Sequence, residues 1–503
     1  MQNQSSSLQG KQSQNLVSKL QGLLSHYTID TRFLDEVFQH NGVQNGYYDQ
    51  IVDHFNNLSF EDFKDINEYT KMSFFNQGIT FAVYSDSDKG TERIFPFDLF
   101  PRIIPKSEWD VLEKGVIQRN RAINMFLWDI YHEKKIFKDK VVPEELIASS
   151  PYYYKAMMDI DPVGKIYTHV SGTDLIKHND GKYYVLEDNV RCPSGVSYVL
   201  SNRDAIKKTF PNLLLNHNVS SVQQYPLELH EIMKSVAPEK VEEPTCVVLT
   251  PGIFNSAYFE HAFLALNMGI QLVEGRDLFV EKKFVYMKTL YGPQRVDVIY
   301  RRVDDDFIDP LVFNKNSMLG VAGLMAAYQA GNVTLLNAPG TGAADDKAVY
   351  TYVPAMIKYY LSEEAILNNV HTYHCEKDDD LQYVLDNMEK VVIKPVDESG
   401  GYGLLVGSNA TKEELAEFKK RILANRRKYI AQPIMSLSMH STFIEGENTF
   451  EQRHIDLRTY CLMGKDKSYL LKGGLTRVAL KKGSLVVNSS QGGGSKDTWV
   501  LLN

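Results

Sequence analysis

The sequence has few cysteines and no pattern by which they would pair or bind zinc. Its four cysteines lie far apart, without the short spacing of a metal-binding pair. This usage speaks against a Cys-rich zinc site and is typical of a protein in a reducing cytoplasm, which is the location we predict. The cysteines are Cys192, Cys246, Cys375 and Cys461.

Long apolar runs and an excess of positive charge are also missing. No stretch approaches the roughly 20 apolar residues of a membrane span, so we predict no membrane partner. The start of the chain is polar and rich in Gln and Ser. It does not resemble a signal peptide, and we expect residues 1–26 to form a disordered tail. A net charge of −8 argues against a nucleic-acid partner, although a local basic cleft is compatible with it.

The chain does contain enough apolar sequence for several folded units. Hydrophobic residues make up 43% and charged residues 23%, as in a soluble globular protein. A length of 503 residues exceeds one ordinary core, so we expect about two to four domains. Helical and strand patterns are interspersed, which predicts a mixed α/β (α+β) fold class.

One stretch combines a lysine with a glycine-rich turn. Residues 391–407 predict a strand that leads to Lys394, a turn, and a second strand. Glycine lets the backbone approach a ligand, and successive N–H groups can bind phosphate oxygens beside the lysine. The stretch is neither a Walker loop nor a Rossmann fingerprint, and a hairpin with a surface lysine is the alternative. The turn residues of interest are Ser399, Gly400, Gly401 and Gly403.

A predicted hairpin places a carboxylate and an amide on one face of a strand. Because alternate side chains share a face, Glu187, Asn189 and Arg191 point the same way. Asp174, on the preceding strand, can join them across the hairpin. Carboxylate and amide oxygens suit Mg²⁺ that is held together with nucleotide phosphates. A polar strand end before a turn is the alternative.

From residue 245 onward, strands alternate with helices and predict an open, largely parallel sheet. Ligands of such sheets bind at the carboxyl ends of strands, where Arg301, Arg302 and Asn337 lie in this sequence. The arginine pair suits a substrate carboxylate in bidentate contact. Alternatively, the neighbouring acids at 304–306 neutralise it.

The last part of the chain contains further polar positions on predicted strands. Gln432 lies on a short strand before a proline, as suits an adenine hinge. Asp456 and Arg458 alternate onto one face, and Arg477 follows on a later segment. The glycine run 492–494 is either a flexible end or a second anion-binding loop.

Together these segments resemble the circularly permuted ATP-grasp family, and within it the type 2 proteins related to glutathionylspermidine synthetases. An ordinary ATP-grasp has its nucleotide lysine before the E-x-N metal motif, whereas here Glu187-x-Asn189 precedes Lys394. The resemblance therefore implies one catalytic lobe built from both ends of the fold. It rests on LEDNVRCPSGVSY (186–198), IYRRVDDDFIDP (299–310), AADDK (343–347), residues 391–403, YIAQP (429–433), RHIDLRTY (453–460), GGLTRVAL (473–480) and residues 486–499.

The resemblance implies a permuted ATP-grasp with an open α/β pre-grasp domain and an N-terminal mixed extension. The expected division is a tail (1–26), a mixed N-terminal segment (27–158), the first part of the catalytic lobe (159–244), the pre-grasp substrate domain (245–345), the nucleotide lobe with its glycine lid (346–428) and the remainder of the catalytic lobe (429–503).

The family also implies a chemistry. A carboxylate attacks the γ-phosphate of ATP, and an amine then displaces phosphate from the acyl phosphate, with Mg²⁺ and cationic side chains stabilising the charge. The predicted activity is therefore an ATP-dependent carboxylate–amine ligase with small-molecule or peptide substrates. A phosphotransferase and a non-catalytic nucleotide-binding partner are the alternatives, and the oligomeric state is left open.

The resemblance assigns roles to the residues named above. The metal ligands are Asp174, Glu187 and Asn189, and the catalytic cations are Arg191, Arg458 and Arg477. Nucleotide is bound by Lys394, Ser399, Gly400, Gly401, Gly403, Gln432 and Asp456. The candidates for binding substrate remain the residues at the strand ends of the open sheet, which are Arg301, Arg302 and Asn337.

Overall fold

Strands and helices are interspersed along the chain, in the mixed α/β pattern that the sequence predicts. The computed structural model describes residues 20–39, 43–84, 89–239, 241–398, 403–488 and 492–503. Within these residues, no helix is both long enough and apolar enough to cross a bilayer.

The strands are β1 (Thr80–Tyr84), β2 (Lys89–Ile94), β3 (Phe97–Ile104), β4 (Val170–Lys177), β5 (Tyr183–Asn189), β6 (Cys246–Leu249), β7 (Gln271–Val273), β8 (Leu278–Glu281), β9 (Phe284–Thr289), β10 (Gly292–Val296), β11 (Val298–Arg301), β12 (Thr334–Leu336), β13 (Asn368–Asn369), β14 (Tyr373–His374), β15 (Val391–Pro395), β16 (Leu405–Val406), β17 (Tyr429–Pro433), β18 (Met439–Ile444), β19 (Thr449–Met463), β20 (Ser468–Leu470), β21 (Leu475–Val478) and β22 (Gly494–Val500).

The helices are α1 (Asp49–Asn57), α2 (Phe60–Asn76), α3 (Lys106–Tyr131), α4 (Lys135–Lys138), α5 (Glu144–Ala148), α6 (Val196–Thr209), α7 (Pro211–Asn216), α8 (Tyr225–Ser235), α9 (Tyr258–Met268), α10 (Asp305–Ile308), α11 (Leu324–Gln329), α12 (Gly342–Asp345), α13 (Val353–Met356), α14 (Asp378–Asp386) and α15 (Lys412–Ala424).

The largest sheet joins strands from distant parts of the chain. Its order is β13-β5-β4-β19-β21-β22-β3, and β18 and β20 also pair with β19. The early hairpin β4–β5 therefore lies directly beside strands that come almost 300 residues later, with Arg458 of β19 opposite Asp174 of β4. This pairing builds one sheet from two separate segments of the chain.

A second sheet is wholly parallel, with the order β12-β11-β6-β7. Its strand β6 is buried on both faces: Val247 and Leu249 belong to one hydrophobic core, and Cys246 and Val248 to another. Burial of both faces is typical of parallel sheets covered by helices. This is the open α/β unit that the sequence predicts from residue 245 onward.

A small sheet carries the lysine of the glycine-rich stretch. Its order is β14-β17-β15-β16, and in it Lys394 of β15 lies opposite Ile430 of β17. Gly403, which precedes β16, has φ of +67°, a left-handed conformation that glycine adopts without strain.

The first strand of the early hairpin starts later than the sequence predicts. The sequence predicts a strand at 165–170, whereas β4 begins at Val170. Residues Val163–Lys165 instead form a 3₁₀ turn in which Gly164 has φ of +66°. Asp174 consequently lies in the middle of β4, facing its neighbours on both sides.

Two other strands also differ from prediction. The sequence predicts a strand that stops before Pro101, but β3 continues through it to Ile104. Proline is tolerated there because β3 is the outermost strand of its sheet. The apolar run at 485–487 also predicts a last strand, which is not formed. The last strand, β22, instead starts at Gly494 and is buried throughout, so a flexible end is the wrong interpretation of the glycine run.

The N-terminal segment is joined to the large sheet by buried charged side chains. Arg102 of β3 donates hydrogen bonds to Glu36 (2.8 and 2.6 Å) and to the carbonyl of Asp456 (3.0 Å). Glu36 also accepts a hydrogen bond from Ser438 (2.6 Å). The segment is therefore packed against the strand that carries Asp456 and Arg458.

Candidate functional site

Two parts of the chain that are distant in sequence line one narrow cavity. Glu187 of β5 and Lys394 of β15 both face it, and its volume is about 120 Å³. Gln432, Asp456 and Arg477 line the same cavity. The structure thus brings together residues that the sequence places at one nucleotide. Of the predicted turn residues, Ser399, Gly400 and Gly401 lie outside the described residues.

Lys394 is held in the cavity by a side-chain contact. Its Nζ donates a hydrogen bond to Oε1 of Gln432 at 2.7 Å. Burial lowers the pKa of Lys394, and the carboxylate of Glu187 opposes that change. Gln432 in turn donates to the hydroxyls of Tyr350 (2.8 Å) and Thr372 (3.1 Å). The carboxamide of Gln432 therefore fixes the lysine, and an adenine-facing role for that side chain finds no support in these contacts.

A row of charged side chains crosses the face of the large sheet. Glu187 is paired in register with Asp174, which is paired with Arg458. Arg458 donates two hydrogen bonds to Asp174, at 2.6 and 2.8 Å, and Arg477 donates a third at 2.7 Å. Arg477 also donates to Asp456, its partner across the sheet. Burial favours protonation of Asp174, yet the two arginines hold its pKa well below the ordinary value.

These contacts bear on the predicted metal ligands. Both oxygens of Asp174 are already bound to arginines, so a metal-ligand role for it finds no support in the geometry. Asn189 donates its amide N–H to the carbonyl of Gly172 at 3.2 Å, which leaves its amide oxygen available. Within the described residues, no group of three His, Cys, Asp or Glu could hold a metal by itself. Glu187 and Asn189 fit Mg²⁺, which takes one or two protein oxygens together with phosphates and water.

A second lysine in the cavity was not predicted. Lys347 lines the cavity, and its Nζ lies 3.3 Å from Oε2 of Glu187. The same Nζ donates a hydrogen bond to the carbonyl of Glu398 at 2.6 Å. Burial disfavours its charge, but Glu187 and Asp345 raise its pKa above the ordinary value. The only sequence signal was its place at the end of the AADDK block, which assigned it no role.

A larger cavity adjoins the first. Its volume is about 660 Å³, and it shares Glu187, Arg477 and Asn488 with the narrow cavity. We call this larger space the chamber. Its polar lining includes Asn189, Arg191, Ser194, Asn255, Glu260, Arg302, Asp304, Asp345 and Arg458.

Arg191 is positioned differently from the other arginines of the chamber. Its guanidinium stacks over the ring of Tyr152 at 4.4 Å, and its Nε lies 3.5 Å from Asp304. Asp345 fixes the local backbone, because its Oδ1 accepts hydrogen bonds from the N–H groups of Val190 (2.6 Å) and Arg191 (3.1 Å). Arg191 thus presents a cation on the chamber wall without a carboxylate at close hydrogen-bond distance.

The three predicted substrate residues are buried and bound within the chain. Arg301 donates to the carbonyls of Asn337 (2.6 Å) and Val303 (2.9 Å), and the side chain of Asn337 bonds backbone groups of β4 and of the segment after β5. A substrate-binding role for Arg301 and Asn337 therefore finds no support here. Arg302 does line the chamber, but it lies 3.4 Å from Glu260, itself 1% exposed.

Comparison with known proteins identifies the family to which the chain belongs. Residues 101–479 match the family described as "Circularly permuted ATP-grasp type 2". An uncharacterized protein of Synechocystis sp. is 52% identical over 93% of this chain and 97% of its own length. An uncharacterized protein of Mycobacterium tuberculosis is 48% identical over 93% of this chain and 84% of its own.

Two further comparisons are more distant. A Frankia casuarinae protein named "Putative glutamate--cysteine ligase 2-2" is 40% identical over 84% of this chain, which spans only 48% of that relative. A solved structure of a glutathione synthetase-like effector from Globodera pallida has a TM-score of 0.56 at 10% identity, and covers 88% of this chain and 98% of its own. The latter likeness concerns the fold alone.

Proposed function

The chain belongs to the circularly permuted ATP-grasp type 2 family, and on that premise we propose that it is an ATP-dependent carboxylate–amine ligase that acts through an acyl phosphate. The observation that carries the proposal is the pair of adjoining cavities that share Glu187, Arg477 and Asn488. One cavity contains lysines suited to phosphates, and the other is a polar chamber suited to organic substrates. The shared residues lie where a γ-phosphate would meet a carboxylate.

The nucleotide half of the site uses buried cations. We propose that Lys394 and Lys347 contact ATP phosphates together with the backbone at Gly403. The narrow cavity is smaller than the roughly 300–1000 Å³ of ordinary ligand sites. For a nucleotide to enter, Lys394 must therefore lose its hydrogen bond to Gln432 and contact a phosphate instead. The β15–β16 hairpin must also move outward.

Glu187 and Asn189 are the proposed metal ligands. When bound, Mg²⁺ would neutralise phosphate charge during transfer. The two side chains offer one carboxylate and one amide oxygen from the same face of β5. In this proposal Asp174 is not a metal ligand. It orients Arg458 and Arg477, which lie beside the metal ligands on the sheet.

The chamber side binds the acid. We propose that Arg191 holds the substrate carboxylate, whose oxygen attacks the γ-phosphorus as ADP leaves. Arg458 and Arg477 stabilise charge on the transferring phosphoryl group. An amine nitrogen in the chamber then attacks the acyl carbon, and phosphate departs. A closed site keeps water from hydrolysing the acyl phosphate.

The remaining assignments are also proposals. The name of the Frankia relative favours an ATP-dependent ligase, but this chain spans about half of that protein, so its substrates are not carried over. We propose that residues 245–345 form the pre-grasp substrate domain and 346–428 the nucleotide lobe, and that 159–244 and 429–503 together form the catalytic lobe. We also propose a cytoplasmic location, since the four cysteines are unpaired thiols.

A panel of acids and amines, assayed for ADP and free phosphate, tests the proposal. A ligase releases equal amounts of ADP and phosphate only when acid and amine are both present. A phosphotransferase gives ADP without free phosphate, and a nucleotide-binding partner gives neither. Either of these two results would contradict the proposal.

A further inference from the structure

A separate cavity lies between helix α2 and the edge of the large sheet. Its volume is about 320 Å³, within the roughly 300–1000 Å³ of small-molecule sites. Its walls are mostly apolar and aromatic, and Phe74 and Phe97 stack there with ring centroids 5.6 Å apart at 16°. Its lining includes Asn67, Thr70, Phe74, Phe95, Phe97 and Phe443.

One polar side chain in this cavity has no hydrogen-bond partner. Asn67 of α2 is 8% exposed, and its carboxamide makes no hydrogen bond with any residue that the structure describes. The adjacent Thr70, by contrast, donates its hydroxyl to the carbonyl of Ile66 at 2.8 Å. Because Asn67 lines the cavity, an occupant of that space can bind both its carboxamide oxygen and its N–H groups. The amide therefore suits a ligand that supplies a complementary donor and acceptor.

The charged groups around this cavity are already neutralised. Lys71 pairs with Glu445, and the buried Asp98 pairs with Lys496. A charged ligand would have to compete with these pairs, so the site favours an uncharged one. Aromatic walls and one amide together fit a planar aromatic molecule with a carboxamide-type edge.

Among the described residues, Phe95 alone lines both this cavity and the chamber. Its ring stacks on Tyr198 with centroids 3.8 Å apart at 9°. The hydroxyl of Tyr198 donates to the carbonyl of Thr80 at 2.9 Å, which fixes the ring. The stacked pair of Phe95 and Tyr198 lies at the boundary of the two spaces, which favours a separate molecule as the occupant of the cavity.

We propose that this cavity is a second ligand site, which binds a small uncharged aromatic amide through Asn67. This inference does not depend on the proposed ligase activity. A ligand there would contact Phe95 and so touch a wall of the chamber.

Benzamide and toluene, titrated into the full chain by calorimetry or ligand-observed NMR, test the site. We expect benzamide to bind the wild type and to lose about tenfold in affinity in Asn67→Leu, since one buried amide contact is removed. Toluene should bind Asn67→Leu at least as well as wild type, because the cavity keeps its shape and becomes more apolar. Asn76→Leu, at an exposed asparagine on the same helix, is the matched control and should change neither affinity.

Three results would overturn the proposal: no benzamide binding to wild type, equal benzamide affinity in Asn67→Leu, or displacement of benzamide by a non-hydrolysable ATP analogue. Should Asn67→Leu fail to fold, a crystal structure of the wild type with benzamide decides the matter. The carboxamide must then lie within hydrogen-bond distance of Asn67, and any other position contradicts the site.

Discussion

Arg477 donates a hydrogen bond to Asp174, a residue 303 positions earlier in the chain. Asp174 also binds Arg458, so one buried carboxylate joins the early hairpin to two late strands. Removing one member of a buried ion network leaves the others without full compensation. The contact therefore stabilises the permuted lobe as well as orienting two arginines of the candidate site.

We predict that Asp174→Asn lowers the stability of the chain by about 3–5 kcal/mol, because two buried guanidinium groups lose their shared partner. Chemical denaturation followed by tryptophan fluorescence measures the change. Asp65→Asn removes an exposed carboxylate from α2 and serves as the control. Similar denaturation midpoints for the two variants would show that the network contributes little.

Lys394→Ala should weaken binding of a non-hydrolysable ATP analogue by about tenfold or more, since a charge-assisted phosphate contact is lost. Calorimetry in the presence of Mg²⁺ measures it. Lys390→Ala, at an exposed lysine just before β15, should leave the affinity unchanged. Equal affinities for wild type and a folded Lys394→Ala protein would remove Lys394 from the nucleotide site.

Glu187→Gln and Asn189→Ala should each abolish Mg²⁺-dependent ADP release while the fold is retained, because Mg²⁺ takes few ligands from the protein. Circular dichroism checks the fold, and a coupled ADP assay checks turnover. Glu281→Gln makes the same chemical change at the exposed end of β8 and should be fully active. Normal turnover in both site variants would leave the ligase proposal without its metal ligands.

The buried ion pair of Glu36 and Arg102 should make the stability of the chain depend on pH. Burial opposes ionisation of Glu36, but Arg102 and Lys177 lower its pKa from 4.5 to about 2. A depressed carboxyl pKa adds stability that is complete above pH 4.5 and is lost as the pH falls towards 2. The difference in unfolding free energy between wild type and Glu36→Gln should therefore shrink over that range.

Denaturation midpoints at pH 6, 4 and about 2.5 test this expectation. Glu239→Gln, at an exposed glutamate, controls for loss of a carboxylate without a buried partner. If the difference in unfolding free energy between wild type and Glu36→Gln stays constant from pH 6 to about 2.5, the pKa of Glu36 is not lowered in the folded chain.

Many strand positions could be predicted because the sequence signals for a strand lie within the strand itself. The strands Cys246–Leu249 and Tyr429–Pro433 have the bounds that their apolar runs predict. Strand parity placed Glu187 and Asn189 on one face, and both line the chamber. The order of the sequence blocks, compared with the family, predicted that Glu187 and Lys394 share a cavity.

Features that depend on long-range pairing were missed. Nothing near Asp174 in the sequence indicates that two arginines donate hydrogen bonds to its oxygens, so this contact could not be predicted. Lys347 follows a short helix, and no periodicity there shows that it faces the cavity. Strand β22 starts in a glycine run that looks flexible until pairing with β21 and β3 buries it.

The most direct test of the account follows oxygen from the substrate to the product. Once the panel identifies an active acid and amine, the acid is supplied with ¹⁸O in its carboxylate. Mass spectrometry of the released phosphate then reports whether that oxygen attacked the γ-phosphorus. The proposed acyl-phosphate mechanism predicts one ¹⁸O atom per released phosphate and one amide bond per ADP. Phosphate without ¹⁸O, or a stable phosphorylated product in place of an amide, would contradict it.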